Sequence, residues 1–225
     1  MRSKKTELSS EQTECRRCGT CCNNGGPALH FEDAELVGNG ILPRKRLITI
    51  RKGELVVKPH DSTPQTAHCE LVKISGTGKT WQCYYYDGKT GCMIYGDRPL
   101  GCSKLQCWNT TAIEELVEKN TLSRFDIIGE DEPIYALVKK HEADCPCPNM
   151  EELQRAIAGK EYPDIESLES LINEDIRVRT TAVQQYDITL AEELFYFGRP
   201  LFQLLQQIGV RVFEKEGVLR LRWPV

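Results

Sequence analysis

The sequence predicts an α+β protein: a small, irregular, cysteine-rich domain with short strands and helices, followed by a mostly helical C-terminal part that ends in a β-hairpin. Three observations predict this class. All eleven cysteines lie between Cys15 and Cys147. Short apolar runs in that segment are separated by Gly, Pro and Asn turns, as expected for short elements. After Cys147 the apolar residues recur mainly at helical spacing.

The composition is that of a globular protein and narrows the possible partners. The chain has 225 residues, with 40% hydrophobic and 28% charged residues, so one medium domain or a core domain with an extension is expected. A net charge of −4 argues against nucleic acid or anionic membranes as partners. No apolar run approaches the roughly 18 residues of a membrane span, and the polar start does not resemble a signal peptide. We therefore expect a cytoplasmic protein with no membrane and no nucleic-acid partner.

Three segments are expected along the chain. Residues 1–14 are polar and predict a flexible N-terminus. Residues 15–147 contain every cysteine and predict one cysteine-cluster domain, whereas residues 148–225 predict a helical extension with a terminal hairpin. The alternative is that the extension packs directly on the first part.

In the cysteine-rich part, a helix is predicted over 31–37, because Gly38-Asn39-Gly40 follows it. Residues 47–50 and 54–57 flank Arg51-Lys52-Gly53 and predict a β-hairpin. The aromatic run 81–86 predicts a strand, since aromatic residues are common in strands. Helices are predicted over 110–119, where Thr111 and Glu114 have capping-box spacing, and over 122–128.

A further helix of the cysteine-rich part is predicted over 134–142. In the second part, Asn149 is expected to cap a helix that ends at Gly159. A longer helix is expected over 163–186, since its apolar residues share one face. The last helix, 190–208, contains Gly198 and Pro200, which should kink it. Residues 210–213 and 218–221 predict the closing hairpin.

The cysteines favour metal binding over disulfides. An odd number of cysteines in a protein expected to be cytoplasmic disfavours a disulfide framework, because that compartment keeps thiols reduced. The segment CRRCGTCC, residues 15–22, places four cysteines within eight residues. Its C-x2-C-x2-C spacing is the one with which ferredoxins begin an iron–sulfur site, and C-x2-C also suits a tetrahedral ion. The motif therefore predicts a thiolate metal site.

The further ligands are expected from the middle of the chain. Adjacent residues in extended backbone point to opposite faces, so Cys21 and Cys22 would serve two centres, or opposite sides of a larger cluster. Four downstream cysteines, separated by turn-prone segments, complete two sets of four. The predicted metal ligands are Cys15, Cys18, Cys21, Cys22, Cys83, Cys92, Cys102 and Cys107.

Three segments together, CRRCGTCC (15–22), CYYYDGKTGC (83–92) and MIYGDRPLGC (93–102), resemble the CxxCxxCC or YkgJ-like cysteine cluster family. That family is described as a zinc- or iron-chelating domain and is sometimes labelled an iron–sulfur oxidoreductase. The resemblance covers residues 15 to 107 and implies an iron–sulfur cluster or Zn²⁺ as the bound group. Within the matched motif, Asp97 is expected to cap a short helix that carries Cys102. Arg98 is expected either to donate to a sulfur or to form an ion pair with a carboxylate.

Several functions remain open at this point. An iron–sulfur centre, slightly preferred over zinc, would carry electrons to or from a protein redox partner. A structural zinc module serving protein–protein interaction is the second alternative. A metal-dependent methyl-transfer or oxidoreductase enzyme is the third, and no catalytic residue is assigned. The sequence leaves open the oligomeric state and whether further side chains are ligands, namely Cys69, Cys145, Cys147, His68 and His141.

Overall fold

A computed structural model describes residues 12–57 and 63–224, so most of the predicted N-terminal segment 1–14 lies outside the described residues. Eight α-helices and ten short strands form within these ranges, and every strand pair is antiparallel. The α+β class and the terminal hairpin are therefore confirmed. None of the helices in the described ranges combines the length and apolar character that a membrane crossing requires.

The cysteine-rich part contains three short helices, α1 (Ala34–Gly38), α2 (Leu100–Lys104) and α3 (Thr111–Glu114). Its strands are β1 (Leu47–Ile50), β2 (Leu55–Val56), β3 (Gln65–Thr66), β4 (Leu71–Ile74), β5 (Gly76–Thr77), β6 (Gln82–Cys83), β7 (Tyr86–Asp87) and β8 (Gly91–Cys92). The strands form separate two-stranded ribbons, β1–β4, β2–β3, β5–β6 and β7–β8. The predicted helix at 31–37 is present as a 3-10 turn, Phe31–Asp33, that leads into α1.

The predicted hairpin of 47–50 with 54–57 is wrong. Strand β1 pairs instead with β4, with Leu47 opposite Ile74. The chain between β1 and β2 turns around the buried carboxylate of Glu54, which accepts a hydrogen bond from the Arg51 main-chain nitrogen at 2.8 Å. The second Glu54 oxygen accepts from Arg199 at 2.8 Å. A buried carboxylate needs such partners. The turn that brings Glu54 to them separates residues 54–57 from β1, so the two segments do not pair.

Three further elements of the first part are shorter than predicted. The strand at 81–86 is divided between β6 and β7, because the buried Tyr85 turns its hydroxyl to the Ile41 carbonyl at 2.9 Å. Left-handed φ values of 56° at Glu118 and 50° at Asn120 prevent a helix through 119. The helix at 122–128 is reduced to a 3-10 turn, Arg124–Asp126, because the main chain of Leu122 bonds to Leu29 and Val72 instead.

The cysteine-rich part ends with helix α4 (Tyr135–Asp144), and the second part contains α5 (Met150–Ala158), α6 (Ile165–Tyr186), α7 (Leu190–Phe197) and α8 (Leu201–Gln207). The chain closes with β9 (Arg211–Lys215) and β10 (Val218–Arg222). The predicted Asn149 cap is confirmed, since its side chain accepts a hydrogen bond from Glu152. The predicted last helix is broken into α7 and α8 around Gly198 and Pro200, as the kink prediction anticipated.

Two large hydrophobic cores and a smaller cluster of Ile48, Ile50, Ala67 and Leu71 hold these elements together. The first is shared by both parts of the chain, since it contains Leu29, Leu47, Val72, Tyr85, Val138, Val178, Phe195 and Phe197. The second is formed mainly by α5, α6, α8 and the terminal hairpin. Helices α6 and α7 therefore pack on the cysteine-rich part through apolar side chains, and their position supports the segments that carry the cysteines.

A buried polar network joins the same two parts. Arg51 and Arg124 are fully buried, and both pair with the carboxylate of Glu142 on α4. Arg51 also donates to the Cys145 carbonyl at 2.5 Å, and Arg124 donates to the Tyr196 carbonyl at 3.0 Å. Because buried charges are tolerated only when paired, this network fixes α4 against β1 and α7.

The network continues through His141 and Asp175, both fully buried, whose side chains are 2.7 Å apart. Asp175 also accepts from Arg179 at 2.9 Å and from the Leu201 main-chain nitrogen at 2.9 Å. Arg179 donates to the carbonyls of Phe197 and Gly198, each at 3.0 Å. Asp175 and Arg179 therefore satisfy the main-chain groups exposed by the break between α7 and α8.

His141 is expected to make the protein less stable in mild acid. Burial is the main reason that its pKa lies below the ordinary 6.5, and Arg51 and Arg179 add to the effect while Asp175 opposes it. As pH falls below 6.5, the unfolded chain binds a proton that the folded imidazole does not, so stability falls. The loss for one group is at most about 1.4 kcal/mol per pH unit.

Urea unfolding at a series of pH values tests this expectation against the variant His141→Gln. The wild-type free energy of unfolding should fall more steeply between pH 7 and 5 than that of the variant. Other groups, such as Glu54 and Glu70, whose pKa values burial raises, titrate in both proteins and cancel in the comparison. Parallel profiles would show that His141 does not titrate differently in the folded and unfolded chains.

Candidate metal centre

The cysteine motif folds as a tight turn. A 3-10 turn spans Cys22–Asn24, and Cys21 precedes it with helical backbone, φ −69° and ψ −37°. The expectation of extended backbone at these two cysteines is therefore wrong. Their sulfurs lie on the same side of the turn, 4.0 Å apart. Two sulfurs on one tetrahedral ion with bonds of about 2.3 Å would be separated by about 3.8 Å. The pair therefore fits a common centre.

A close contact with Tyr86 positions this turn. Gly19 has φ +78°, and a Cβ atom there would lie 1.9 Å from the Tyr86 hydroxyl oxygen. Only glycine permits both the left-handed backbone and this approach. The Tyr86 hydroxyl donates to the Cys18 carbonyl at 3.4 Å. Tyr86 therefore holds the middle of the motif against β7.

The neighbouring ribbons bring Cys83 and Cys92 to the turn. Strand β6 packs beside the Cys22–Asn24 turn, and Gln82 donates to the Asn23 side chain at 3.0 Å. Cys83 is nearly fully buried at the end of β6. In the β7–β8 ribbon, Cys92 lies opposite Tyr86, the residue that contacts the motif.

Helix α2 supplies Cys102. The expected helix is present, but the expectation that Asp97 caps it is wrong. Asp97 ends a preceding 3-10 turn, Tyr95–Asp97. The Leu100 main-chain nitrogen instead donates to the Asp33 carboxylate at 2.7 Å. Asp33 lies 67 residues earlier in the chain, so no local sequence signal could have identified it.

Five sulfurs are near enough for their charges to affect one another, and we call Cys21, Cys22, Cys83, Cys92 and Cys102 the five-cysteine group. Burial, followed by the neighbouring thiolates Cys21, Cys83 and Cys92, raises the pKa of Cys22 to about 12. Burial likewise raises the pKa of Cys83 and that of Cys102, and other members of the group add to each shift. These thiols can ionise together near neutral pH only where a cation compensates their negative charges.

The other three predicted ligands, Cys15, Cys18 and Cys107, are exposed. The Thr20 hydroxyl lies 3.3 Å from the Cys18 sulfur and is the main reason that the Cys18 pKa is lowered. Gln12 approaches the Cys107 sulfur at 3.9 Å, so the segment before the motif lies beside Cys107. In residues 12–57 and 63–224, no three His, Cys, Asp or Glu side chains are arranged closely enough to hold one ion.

Tyr95 connects the motif to the segment that carries Cys92 and Cys102. The guanidinium groups of Arg17 and Arg98 lie 3.9 Å and 3.7 Å from the centre of its ring. Arg98 also donates to the Tyr95 carbonyl at 2.9 Å. These contacts differ from both roles expected for Arg98. Arg17, which lies between Cys15 and Cys18, was not identified from the sequence.

Replacing Tyr95 with leucine should weaken metal retention. Two cation–π contacts, worth about 0.5–1 kcal/mol each at exposed sites, would be lost. We expect metal release to a chelator to require roughly fivefold to thirtyfold less chelator, measured by competition titration. Tyr162→Leu is the matched control, because Tyr162 is exposed and stacks on Trp223 in the C-terminal part. Equal retention in both variants would contradict a positioning role for Tyr95.

The residues that the sequence left open lie elsewhere. The Cys69 sulfur contacts Thr121 at 3.9 Å, and the His68 main chain contacts Glu118. Cys145 and Cys147 pack in the second core, and burial raises the pKa of each to about 12. His141 pairs with Asp175, as described above. None of these residues contributes to the pKa shifts in the five-cysteine group.

Comparison with known families agrees with this geometry. Residues 14–123 match the model of the CxxCxxCC family, described as "Putative zinc- or iron-chelating domain". Residues 14–123 therefore resemble this family. The matched range includes all eight predicted ligands and supports metal binding by the domain. Neither a search of curated proteins nor a search of solved structures gave a match.

Proposed function

We propose that the CxxCxxCC domain binds an iron–sulfur centre through cysteine thiolates and serves in electron transfer with a protein redox partner. The observation that carries the proposal is the approach of sulfurs from four elements, which are the motif turn, the two ribbons that carry Cys83 and Cys92, and helix α2. The main causes of the pKa shifts within the group are burial and the neighbouring cysteines. An all-sulfur donor set suits iron–sulfur clusters and zinc.

The five-cysteine group would form the core of the site. Cys21 and Cys22 supply two sulfurs from the turn, and Cys83, Cys92 and Cys102 supply the others. Cys15, Cys18 and Cys107 would complete the set of eight, either around the same centre or around a second one. When bound, an iron–sulfur centre supplies one-electron redox chemistry, and the chain holds its thiolates partly screened from water.

A structural zinc site is the second candidate, and one distance favours it. The 4.0 Å separation of the Cys21 and Cys22 sulfurs is close to the edge of a single tetrahedral thiolate site. In that case the metal would stabilise the fold, and a protein-binding surface would perform the function. A methyl-transfer or oxidoreductase enzyme is the third candidate, and no catalytic residue is assigned to it.

Air-free purification followed by elemental analysis and visible absorption tests the proposal. An iron–sulfur centre gives stoichiometric iron and sulfide with absorption in the visible range, which dithionite should bleach. Stoichiometric zinc with no visible absorption would replace the first candidate by the second. Protein without stoichiometric metal, after expression in medium supplemented with iron and zinc, would contradict both.

A further inference from the structure

The terminal hairpin has one covered edge and one open edge. Its two-residue turn, Glu216-Gly217, has φ values of 56° and 77°, as required for a type I′ turn. Asn173 on α6 bonds to both main-chain groups of Leu219, each at 2.9 Å. Glu169 accepts from the Leu221 nitrogen at 2.8 Å. Helix α6 therefore covers the outer edge of β10.

The opposite edge belongs to β9. Main-chain groups alternate in direction along an antiparallel strand, so residues 212 and 214 point away from β10. Among the described residues, the main-chain N–H and C=O groups of Val212 and Glu214 have no hydrogen-bond partner. A groove runs along this edge, lined by Gln206, Gly209, Val210 and the first residues of β9. Such an edge can accept an additional strand.

The outward face of the hairpin is basic although the whole chain is acidic. It presents, in register, Arg211 with Arg222, Phe213 with Arg220, and Lys215 with Val218. No acidic residue lies on this face, and in the part of the chain that the structure describes only the Arg220 side chain has an acidic partner, Glu169 at 2.7 Å. Phe213 is 41% exposed, and the Arg222 guanidinium lies 5.6 Å from its ring centre.

The charge pattern indicates which occupant fits the edge. Antiparallel pairing of two copies of β9 about Phe213 would place Arg211 opposite Lys215, and like charges directly opposite are destabilising. Acidic side chains on the outward face of an added strand would lie beside Arg211, Phe213 and Lys215 and would meet no carboxylate on that face. Nucleic acid would use the charges but leave the open main-chain groups of β9 without strand partners.

We propose that the open edge of β9 is a docking site for an extended acidic segment of a partner protein, which adds as a third strand to the hairpin. The main-chain groups of Val212 and Glu214 provide the affinity, and Arg211, Lys215 and Arg222 select acidic side chains. This inference does not depend on the identity of the metal.

The test uses the full metal-loaded chain and a labelled acidic probe, acetyl-(Glu-Val)4-amide. Fluorescence polarisation should show saturable binding that weakens with added salt, and hydrogen exchange at the Val212 and Glu214 amides should slow when the probe is bound. Glu214→Pro removes one edge donor and obstructs strand addition, so it should weaken binding roughly fivefold or more. Glu214→Ala, which keeps the donor, should bind at least as tightly as the wild type.

A second variant covers the case in which proline unfolds the hairpin. R211E/K215E leaves the main chain intact and should reverse the preference from the acidic probe to its counterpart acetyl-(Lys-Val)4-amide. The proposal is overturned if the acidic probe does not bind saturably, or if Glu214→Pro remains folded and binds like Glu214→Ala. It is also overturned if a uridine oligonucleotide binds more tightly to this face, or if the free protein dimerises through β9.

Discussion

Glu142→Ala is expected to be among the most destabilising substitutions outside the cysteines, lowering the free energy of unfolding by about 3 kcal/mol. The Glu142 carboxylate pairs with both Arg51 and Arg124, whose side chains are fully buried. Removing it leaves two buried cations, of which Arg124 retains Glu70 at 3.3 Å and Arg51 loses its carboxylate. Leaving a buried charge unpaired costs more than losing an exposed ion pair.

The matched control for this prediction is Asp144→Ala on the same helix. Asp144 pairs with Lys140, and both side chains are exposed, so the loss of this pair should have a much smaller effect on stability. Urea unfolding at pH 7 of the three proteins, each loaded with metal, measures the difference. Similar stability of the two variants would show that Glu142 does not hold α4 in place.

The helices of the second part were predictable because their signals are local. Asn149 caps α5, and apolar residues at helical spacing mark α6. The prediction that 47–50 and 54–57 form a hairpin was wrong because the observed structure depends on partners that are distant in sequence. Strand β1 pairs with β4, and Glu54 is buried against Arg199, 145 residues away. Local pattern cannot reveal pairing over such separations.

The same distinction applies to the metal centre. The spacing of the cysteines predicted eight metal ligands, and the segment that matches the family includes all eight. The residues that position them were missed, because Asp33 caps α2 from a distant segment and Arg17 reaches Tyr95 only in the folded chain. The expected opposite orientation of Cys21 and Cys22 also failed, since it assumed extended backbone where the chain forms a helical turn.

Cys83→Ser should abolish metal binding at the centre for which Cys83 is a proposed ligand. Cys83 is nearly fully buried, and its sulfur lies among the thiols of the five-cysteine group. A serine hydroxyl does not ionise near neutral pH, so the centre would lose one anionic ligand. The metal content per chain, measured after air-free purification, should fall by the number of metal ions that this centre binds.

Cys147→Ser provides the matched control, because burial raises the pKa of this thiol too, yet it packs in the second core. Its metal content should equal that of the wild type. Chelator should then lower the free energy of unfolding of the wild type and of Cys147→Ser by several kcal/mol, since metal binding to the folded state adds to its stability.

The response of Cys83→Ser to chelator separates loss of a ligand from loss of packing. If Cys83 is a ligand, its variant is already without that metal, and chelator should change its stability less than that of the wild type. If serine only disturbs the core, the variant should keep its metal and respond to chelator as fully as Cys147→Ser does. That second result would remove Cys83 from the proposed ligands.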